Sequence, residues 1–217
     1  MNQKVIIFDF DGTIADTVDA LVSIANRLAL EFGYIQITPE ELAILRGLTS
    51  REIMKYSGIS VFRVPFLVKK VKGELKSKIV DLKPIPGIEE ALFNLHYQGY
   101  KLGIITSNSQ ENVTSFLKLN HLDTLFDFIY SGVTIFGKTT IINNVLRQKQ
   151  LKAKDVIYVG DETRDIEASK KANIQVVAVT WGFNSPEALA SYNPNFLIEE
   201  PSQLLDVLEN AKKDTVK

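Results

Sequence analysis

The sequence has no cysteine, and only two histidines and one tryptophan occur among its 217 residues. Without cysteine the chain can form neither a disulfide bond nor a thiolate metal site, and it cannot use a thiol as a nucleophile. It also lacks an excess of charge of either sign, since its formal net charge is −1. A chain so close to neutrality is poorly suited to a main function of binding nucleic acid.

Long apolar runs are absent as well. No apolar stretch is long enough to cross a bilayer, and the first apolar run is short and interrupted by acids, unlike that of a secretory signal. We therefore expect a cytoplasmic protein with neither a membrane partner nor a nucleic-acid partner. The composition, 45% apolar and 24% charged, is typical of one globular domain or of a domain with a small insertion. Nothing in the sequence indicates the oligomeric state.

One stretch near the start of the chain combines a strand pattern with two close acids. Residues 5–8 form an apolar run typical of a buried strand, and Asp9 and Asp11 follow it two positions apart. In extended backbone such residues point to the same side, so both carboxylates can face one point beyond the strand. At a separation of about 5 Å and an effective dielectric constant of about 20, they repel each other by roughly 3 kcal/mol. Acids placed in this way usually hold a cation or move a proton.

Helical patterns fill the next part of the chain. Apolar residues recur at helical spacing from Thr17 to Phe32, and Thr38 followed by Pro39 is typical of a helix start. Further short helical stretches continue to about residue 80, and no strand pattern interrupts them.

Strand and helix patterns alternate from about residue 83 onwards. The predicted strands lie at 102–105, 126–130, 155–159, 174–179 and 196–198, with a helical pattern in each interval between them. This alternation predicts an α/β fold, a Rossmann-like parallel sheet covered by helices on both faces. A parallel crossover needs only about a dozen residues, far fewer than lie between the first two predicted strands. We therefore predict a three-layer core of residues 1–15 and 83–217, with a helical cap of residues 16–82 inserted beside the first strand end.

Several polar residues are predicted to meet at one edge of this sheet, where open parallel sheets bind their ligands. They follow three predicted strands or begin a predicted helix: Asp9 and Asp11, Thr106 to Asn108, Asp161 and Asp165, and Lys138. Such a set suits phosphoryl transfer, in which one carboxylate is the nucleophile and a second acid transfers protons. Carboxylates can also hold Mg²⁺, while a lysine and hydroxyl or amide donors bind the phosphate oxygens.

At this point the chain resembles the haloacid dehalogenase superfamily. The resemblance rests on four motifs in the family's order, namely Asp9-Phe10-Asp11-Gly12-Thr13, Thr106, Lys138 and the segment from Gly160 to Asp165. The predicted insertion is similar to the helical cap of the phosphoglycolate phosphatase and β-phosphoglucomutase branch. The resemblance implies a Mg²⁺-dependent phosphatase for a small phosphate monoester, either phosphoglycolate-like or a sugar phosphate, acting through an aspartyl phosphate.

The resemblance also implies a role for each motif residue. Asp9 would be the nucleophile and Asp11 the general acid and base. The phosphoryl group would be held by Thr106 and Lys138, and we expect the two residues after Thr106 to contribute: Ser107 and Asn108.

The same resemblance implies the metal ligands. Asp161 would bind Mg²⁺ together with Asp9 and the main-chain carbonyl of Asp11, and Asp165 would act on the metal directly or through water. One departure from the family is Thr139, which follows the motif lysine where relatives often carry proline.

Three other functions are compatible with parts of the sequence. A phosphomutase would use the same residues, and a binding protein could keep the fold without turnover. Residues 132–139 also match the G-x-x-x-x-G-K-[ST] pattern of nucleotide-binding P-loops. The interior of this loop is Val-Thr-Ile-Phe, whereas a phosphate cradle needs small residues, and a P-loop leaves Asp9 and Asp11 without a role. The phosphatase interpretation is therefore favoured.

The predicted cap contains two arginines near a short helix that ends around Gly47. Relatives present a substrate-specificity loop in this region. The hypothesis is that Arg46 or Arg51 reaches the end of the substrate that is distant from the phosphate.

Overall fold

In a computed structural model, residues 4–60, 62–132 and 137–214 of the chain are described, with residues 210–214 described by their backbone alone. Six strands form one sheet: β1 (Val5–Phe8), β2 (Lys101–Ile105), β3 (Phe126–Tyr130), β4 (Val156–Gly160), β5 (Gln175–Val179) and β6 (Phe196–Ile198). All the strand pairs are parallel, and the order across the sheet is β3-β2-β1-β4-β5-β6. The predicted Rossmann-like parallel sheet is thus confirmed.

Strand β1 occupies the middle of the sheet, where β2 and β4 flank it. Phe8, its last residue, is in register with Ile104 of β2 and with Val159 of β4. The residues that follow these three strands therefore emerge side by side at one edge. This register is what brings together side chains that are far apart in the sequence.

Helices cover both faces of the sheet. From residue 88 onwards they are α5 (Ile88–Tyr97), α6 (Gln110–Leu119), α7 (Lys138–Gln148), α8 (Thr163–Lys171), α9 (Pro186–Ser191) and α10 (Leu204–Asp214). Ile6 and Phe8 are buried in one apolar cluster with residues of α5 and α6. Val5 and Ile7, which point to the opposite face, are buried in a second cluster with residues of α7 and α8. Alternate residues of β1 thus enter different apolar layers, which confirms the three-layer core.

Four helices lie between β1 and α5: α1 (Val18–Phe32), α2 (Pro39–Arg46), α3 (Ser50–Ser57) and α4 (Val64–Lys78). Local sequence explains where α2 and α3 begin. The Thr38 side chain accepts a hydrogen bond from Glu41 N at 3.2 Å, and Pro39 lies in the first turn of α2. Thr49 and Glu52 form a reciprocal capping box at the start of α3. Helices α1 and α4 pack against each other.

The chain leaves and re-enters the sheet region through two adjacent segments. Asp16 N donates to Lys83 O at 2.9 Å, and Ile85 N donates to Ile14 O at 2.9 Å. Helices α1–α4 therefore begin and end at one place, next to the end of β1. Among the residues that the structure describes, none of the helices combines the length and apolar character needed to cross a bilayer.

Candidate active site

The ends of β1, β2 and β4 and the starts of α7 and α8 bring most of the predicted site residues together. Six of these side chains are buried: Asp9, Thr106, Asn108, Lys138, Asp161 and Asp165. Asp11 is half-buried. So many buried polar groups require partners, because an unpaired polar or charged group is costly to bury.

Three carboxylates form a close cluster. Asp9, Asp161 and Asp165 each offer an oxygen, and these oxygens lie within 4.8 Å of one another. Burial, and then the neighbouring acids, raise the pKa of Asp161 well above its ordinary value. The ionised cluster is therefore unfavourable unless positive charge compensates it. Its all-oxygen ligand set is the kind that Mg²⁺ prefers, so the residues present fit this ion.

Donors from two segments, one after β1 and one after β5, orient the carboxylates of Asp9 and Asp161. Asp9 Oδ1 accepts a hydrogen bond from Phe10 N at 2.8 Å. Asp161 Oδ1 accepts from Thr13 Oγ1 at 2.7 Å, and its Oδ2 accepts from Phe183 N at 2.7 Å. Each of these oxygens has a second lone pair that remains available to a cation.

Two glycines make room for Asp161. Gly12 has a φ of +74°, and a Cβ atom there would lie 2.4 Å from Asp161 Oδ2. A Cβ atom on Gly182 would lie 2.3 Å from the same carboxylate group. Any larger residue would displace the carboxylate, so the Gly12 of the first motif is required by both its backbone conformation and this close approach.

Lys138 supplies positive charge within the cluster. Its Nζ lies 2.7 Å from Asp9 Oδ2 and also forms an ion pair with Asp165. Burial alone would lower the pKa of Lys138, but Asp165 and Asp9 raise it well above its ordinary value. The ammonium group also lies 5.4 Å from the centre of the Tyr158 ring. Lys138 is therefore a fixed cation beside Asp9.

Asp165 has two partners. One of its oxygens accepts from Lys138, and Oδ2 accepts from Glu162 N at 3.1 Å, at the start of α8. Burial raises the pKa of Asp165 to about 6, against the opposing effect of Lys138. The side chain thus both belongs to the carboxylate cluster and holds the lysine.

Asp11 lies beside the cluster and is held by Asn108. Both Asp11 oxygens accept from Asn108 Nδ2, at 3.0 and 3.1 Å. Asn108 is itself fixed, because its Oδ1 accepts from Ser109 N and from Asn112 Nδ2 and its backbone N donates to Thr106 Oγ1. Burial, and then the charge of Asp9, raise the pKa of Asp11 to about 7. Asp11 can therefore gain or lose a proton near neutral pH.

The two cap arginines have different surroundings. Arg46 Nη2 donates to Gly182 O at 2.9 Å, which links the end of α2 to the loop after β5. Arg51 lines a cavity of about 320 Å³ between α3, α7 and α8, and Lys138 and Arg164 also line it. Arg164 lies within the fourth motif, but its sequence pattern alone predicts no role for it.

The remaining predicted residues are also located. Ser107 is half-buried between Thr106 and Asn108. Residues 133–136, the interior of the alternative P-loop, lie outside the described residues. The lysine of that pattern is Lys138, whose ammonium contacts two carboxylates.

The carboxylate cluster leads to a prediction about metal binding. A ligand that binds only the folded state adds about 2.7 kcal/mol to the free energy of unfolding at one hundred times its Kd. Saturating Mg²⁺ should therefore raise the Tm of the EDTA-treated protein by several degrees, and Asp161→Ala should remove this increase. Thermal unfolding measures it, with Glu89→Gln, an exposed acid on α5, as the control that keeps the increase. An unchanged response in Asp161→Ala would contradict a metal role for the cluster.

The raised pKa of Asp11 leads to a prediction about pH. The folded protein keeps this proton up to about pH 7, whereas the unfolded chain loses it near its ordinary value of 3.8. The contribution of Asp11 protonation to the free energy of unfolding is thus complete below pH 3.8 and disappears as the pH rises through 7.

In EDTA, the wild type should therefore lose more stability between pH 5 and pH 8 than Asp11→Asn, by about 1–2 kcal/mol after allowance for partial exposure. Denaturant unfolding at several pH values measures this difference. Parallel pH dependences of the two proteins would show that the carboxyl group has no raised pKa.

Comparison with known proteins agrees with this geometry. The family model for haloacid dehalogenase-like hydrolases matches residues 6–179. A phosphoglycolate phosphatase of Synechococcus elongatus is 37% identical over 206 residues, which cover 95% of this chain and 97% of that protein. A solved haloacid dehalogenase-like hydrolase from Streptococcus pneumoniae has a TM-score of 0.78 at 25% identity and covers 95% of this chain and 98% of its own.

A second solved structure, provisionally assigned as a β-phosphoglucomutase from Thermotoga maritima, has a TM-score of 0.68 at 26% identity and covers 96% of this chain and 99% of its own. The family match spans most of the chain, and the relatives are covered over nearly their whole length. The chain therefore belongs to the family of haloacid dehalogenase-like hydrolases.

Proposed function

We propose that this protein is a Mg²⁺-dependent phosphatase that hydrolyses a small phosphate monoester through an aspartyl phosphate on Asp9. The observation that carries the proposal is the position of Asp9, whose carboxylate lies 2.7 Å from the Lys138 ammonium and within 4.8 Å of two further carboxylates. A buried acid in this setting can attack phosphorus while the surrounding charges bind the phosphoryl oxygens. The phosphatase named among the relatives supports the same activity.

In the proposed reaction Asp9 is the nucleophile and Asp11 is the general acid and base. A carboxylate oxygen of Asp9 attacks phosphorus, the bond from phosphorus to the ester oxygen breaks, and Asp11 gives its proton to that leaving oxygen. Asp11 then takes a proton from a water molecule, which attacks phosphorus, breaks its bond to Asp9 and releases phosphate. A pKa of about 7 suits Asp11 to both steps near neutral pH.

Asp9, Asp161 and the main-chain carbonyl of Asp11 would hold the Mg²⁺ ion, with Asp165 acting on it directly or through water. The bound ion would reduce the repulsion between the phosphate group and the carboxylates. We assign the binding of the phosphoryl oxygens to four residues: Thr106, Ser107, Asn108 and Lys138.

We interpret helices α1–α4 as a cap of residues 16–82 that forms part of the substrate site. Arg51, Lys55, Arg164 and Lys171 all line the cavity next to Lys138. Two acids, Glu52 and Glu167, also line it, so its cations outnumber its acids by five to two when Lys138 is included. An excess of positive charge suits a substrate that carries a second anionic group, such as the carboxylate of phosphoglycolate. Arg51 is better placed than Arg46 for this contact, because Arg51 is among the residues that line this cavity, whereas the Arg46 guanidinium is directed at the Gly182 carbonyl.

A phosphomutase is the second candidate, and the Thermotoga maritima neighbour supports it. Such an enzyme would use the same aspartyl phosphate but return the phosphoryl group to another hydroxyl of a sugar phosphate. Product analysis separates the two activities, because the phosphatase releases free phosphate and the mutase yields an isomerised sugar phosphate.

The proposal predicts that turnover depends on Asp9 and on a divalent cation. Phosphate release should be measured over a panel of metabolite phosphates that includes phosphoglycolate, with Mg²⁺ and with EDTA. Asp9→Asn should lower kcat at least about 10³-fold, since the amide is a poor nucleophile toward phosphorus. Asp19→Asn, an exposed acid in the first turn of α1, is the matched control and should retain wild-type activity. Undiminished turnover in Asp9→Asn would exclude the covalent mechanism.

A further inference from the structure

The loop after β5 contacts the carboxylate cluster on one side. Phe183 N donates to Asp161 Oδ2 at 2.7 Å, and Asn184 N donates to Asp161 O at 3.2 Å. A Cβ atom on Gly182 would overlap Asp161. The position of this loop is therefore fixed relative to Asp161.

The other side of the same loop contacts the end of α2 and the residues after it. Asn184 Nδ2 donates to Arg46 O at 2.9 Å and to Leu48 O at 3.0 Å. Ser185 N also donates to Arg46 O, at 2.8 Å, and Arg46 Nη2 returns a hydrogen bond to Gly182 O at 2.9 Å. Four hydrogen bonds thus join residues 46–48 to residues 182–185.

Asn184 is the centre of this connection. The residue is 3% exposed, its side-chain Nδ2 donates twice to the segment at 46–48, and its Oδ1 accepts from Thr163 N at 2.9 Å. The amide therefore joins the start of α8, which lies two residues after Asp161, to the end of α2. Asparagine suits this place because it alone among the small side chains supplies two donors and an acceptor in one plane.

The segment that Asn184 holds also determines where α3 begins. Leu48 precedes Thr49, the residue that caps α3, and the capping box with Glu52 fixes the first turn of the helix. Arg51 belongs to that turn and lines the cavity beside Lys138. A shift of residues 46–48 would thus move Arg51 relative to the carboxylate cluster.

We propose that Asn184 is a positioning residue that holds residues 46–48, and with them the start of α3, over the candidate active site. It acts on specificity through the end of the substrate that faces α3 rather than on the reacting phosphate. The effect on specificity rests on the proposed function, whereas the structural connection does not.

Hydrogen exchange tests the connection without any substrate. Asn184→Asp keeps an acceptor for Thr163 N but presents an oxygen that cannot donate to the carbonyls of Arg46 and Leu48. We expect at least about tenfold faster exchange of the amides of residues 46–57 in this variant and in Asn184→Ala. Asn94→Ala, an exposed asparagine on α5, is the matched control and should exchange like the wild type. Wild-type exchange of 46–57 in Asn184→Asp would overturn the proposal.

Steady-state kinetics tests the consequence for specificity. In both Asn184 variants the KM for phosphoglycolate should rise about tenfold with kcat within about threefold, and p-nitrophenyl phosphate should be affected much less. The increase of Tm with Mg²⁺ should persist, which separates a displaced α3 from a damaged metal site. An equal loss of kcat on both esters would overturn the effect on specificity. Should the wild type fail to hydrolyse phosphoglycolate, the proposed substrate fails, and the exchange experiment still decides whether Asn184 holds α3.

Discussion

The electrostatic repulsion among several buried and closely spaced carboxylates governs how the other groups of the site are arranged. Oxygens of Asp9, Asp161 and Asp165 lie within 4.8 Å of one another, in a region where water cannot screen them. Such a cluster is tolerated only with compensating positive charge, part of which comes from Lys138. The negative charge that remains makes this edge of the sheet suitable for a divalent cation, and the cation in turn allows a phosphate ester to bind there.

The parallel sheet makes this clustering unavoidable. Strand β1 lies between β2 and β4, so the residues after these strands emerge beside each other. Glycines at 12 and 182 let two backbone segments approach Asp161. The insertion of α1–α4 leaves and returns next to the same edge. A substrate held at this edge would therefore meet groups from both the sheet and the insertion, which is how one phosphate-transfer centre can serve different esters.

Much of this organisation could be predicted from the sequence, because it follows from local patterns. Apolar runs that alternate with helical periodicity predict the sheet. The spacing of Asp9 and Asp11 predicts that their side chains point to the same side of the backbone. The contacts of Asn184 could not be predicted in this way, since its partner Arg46 is 138 residues distant and no periodicity links them. The hydrogen bonds from Asn108 to Asp11 could not be predicted either, because they depend on the orientation of both side chains. Whether residues 16–82 behave as a separate cap stays a prediction.

The proposed mechanism requires Asp9 and Asp161 to share one divalent cation. Anomalous scattering from a crystal grown with Mn²⁺, which favours the same oxygen ligands as Mg²⁺, tests it most directly. We expect a single strong peak within about 2.5 Å of a carboxylate oxygen of each residue. A fully occupied Mn²⁺ ion elsewhere, with the Lys138 ammonium as the sole cation between these carboxylates, would contradict it.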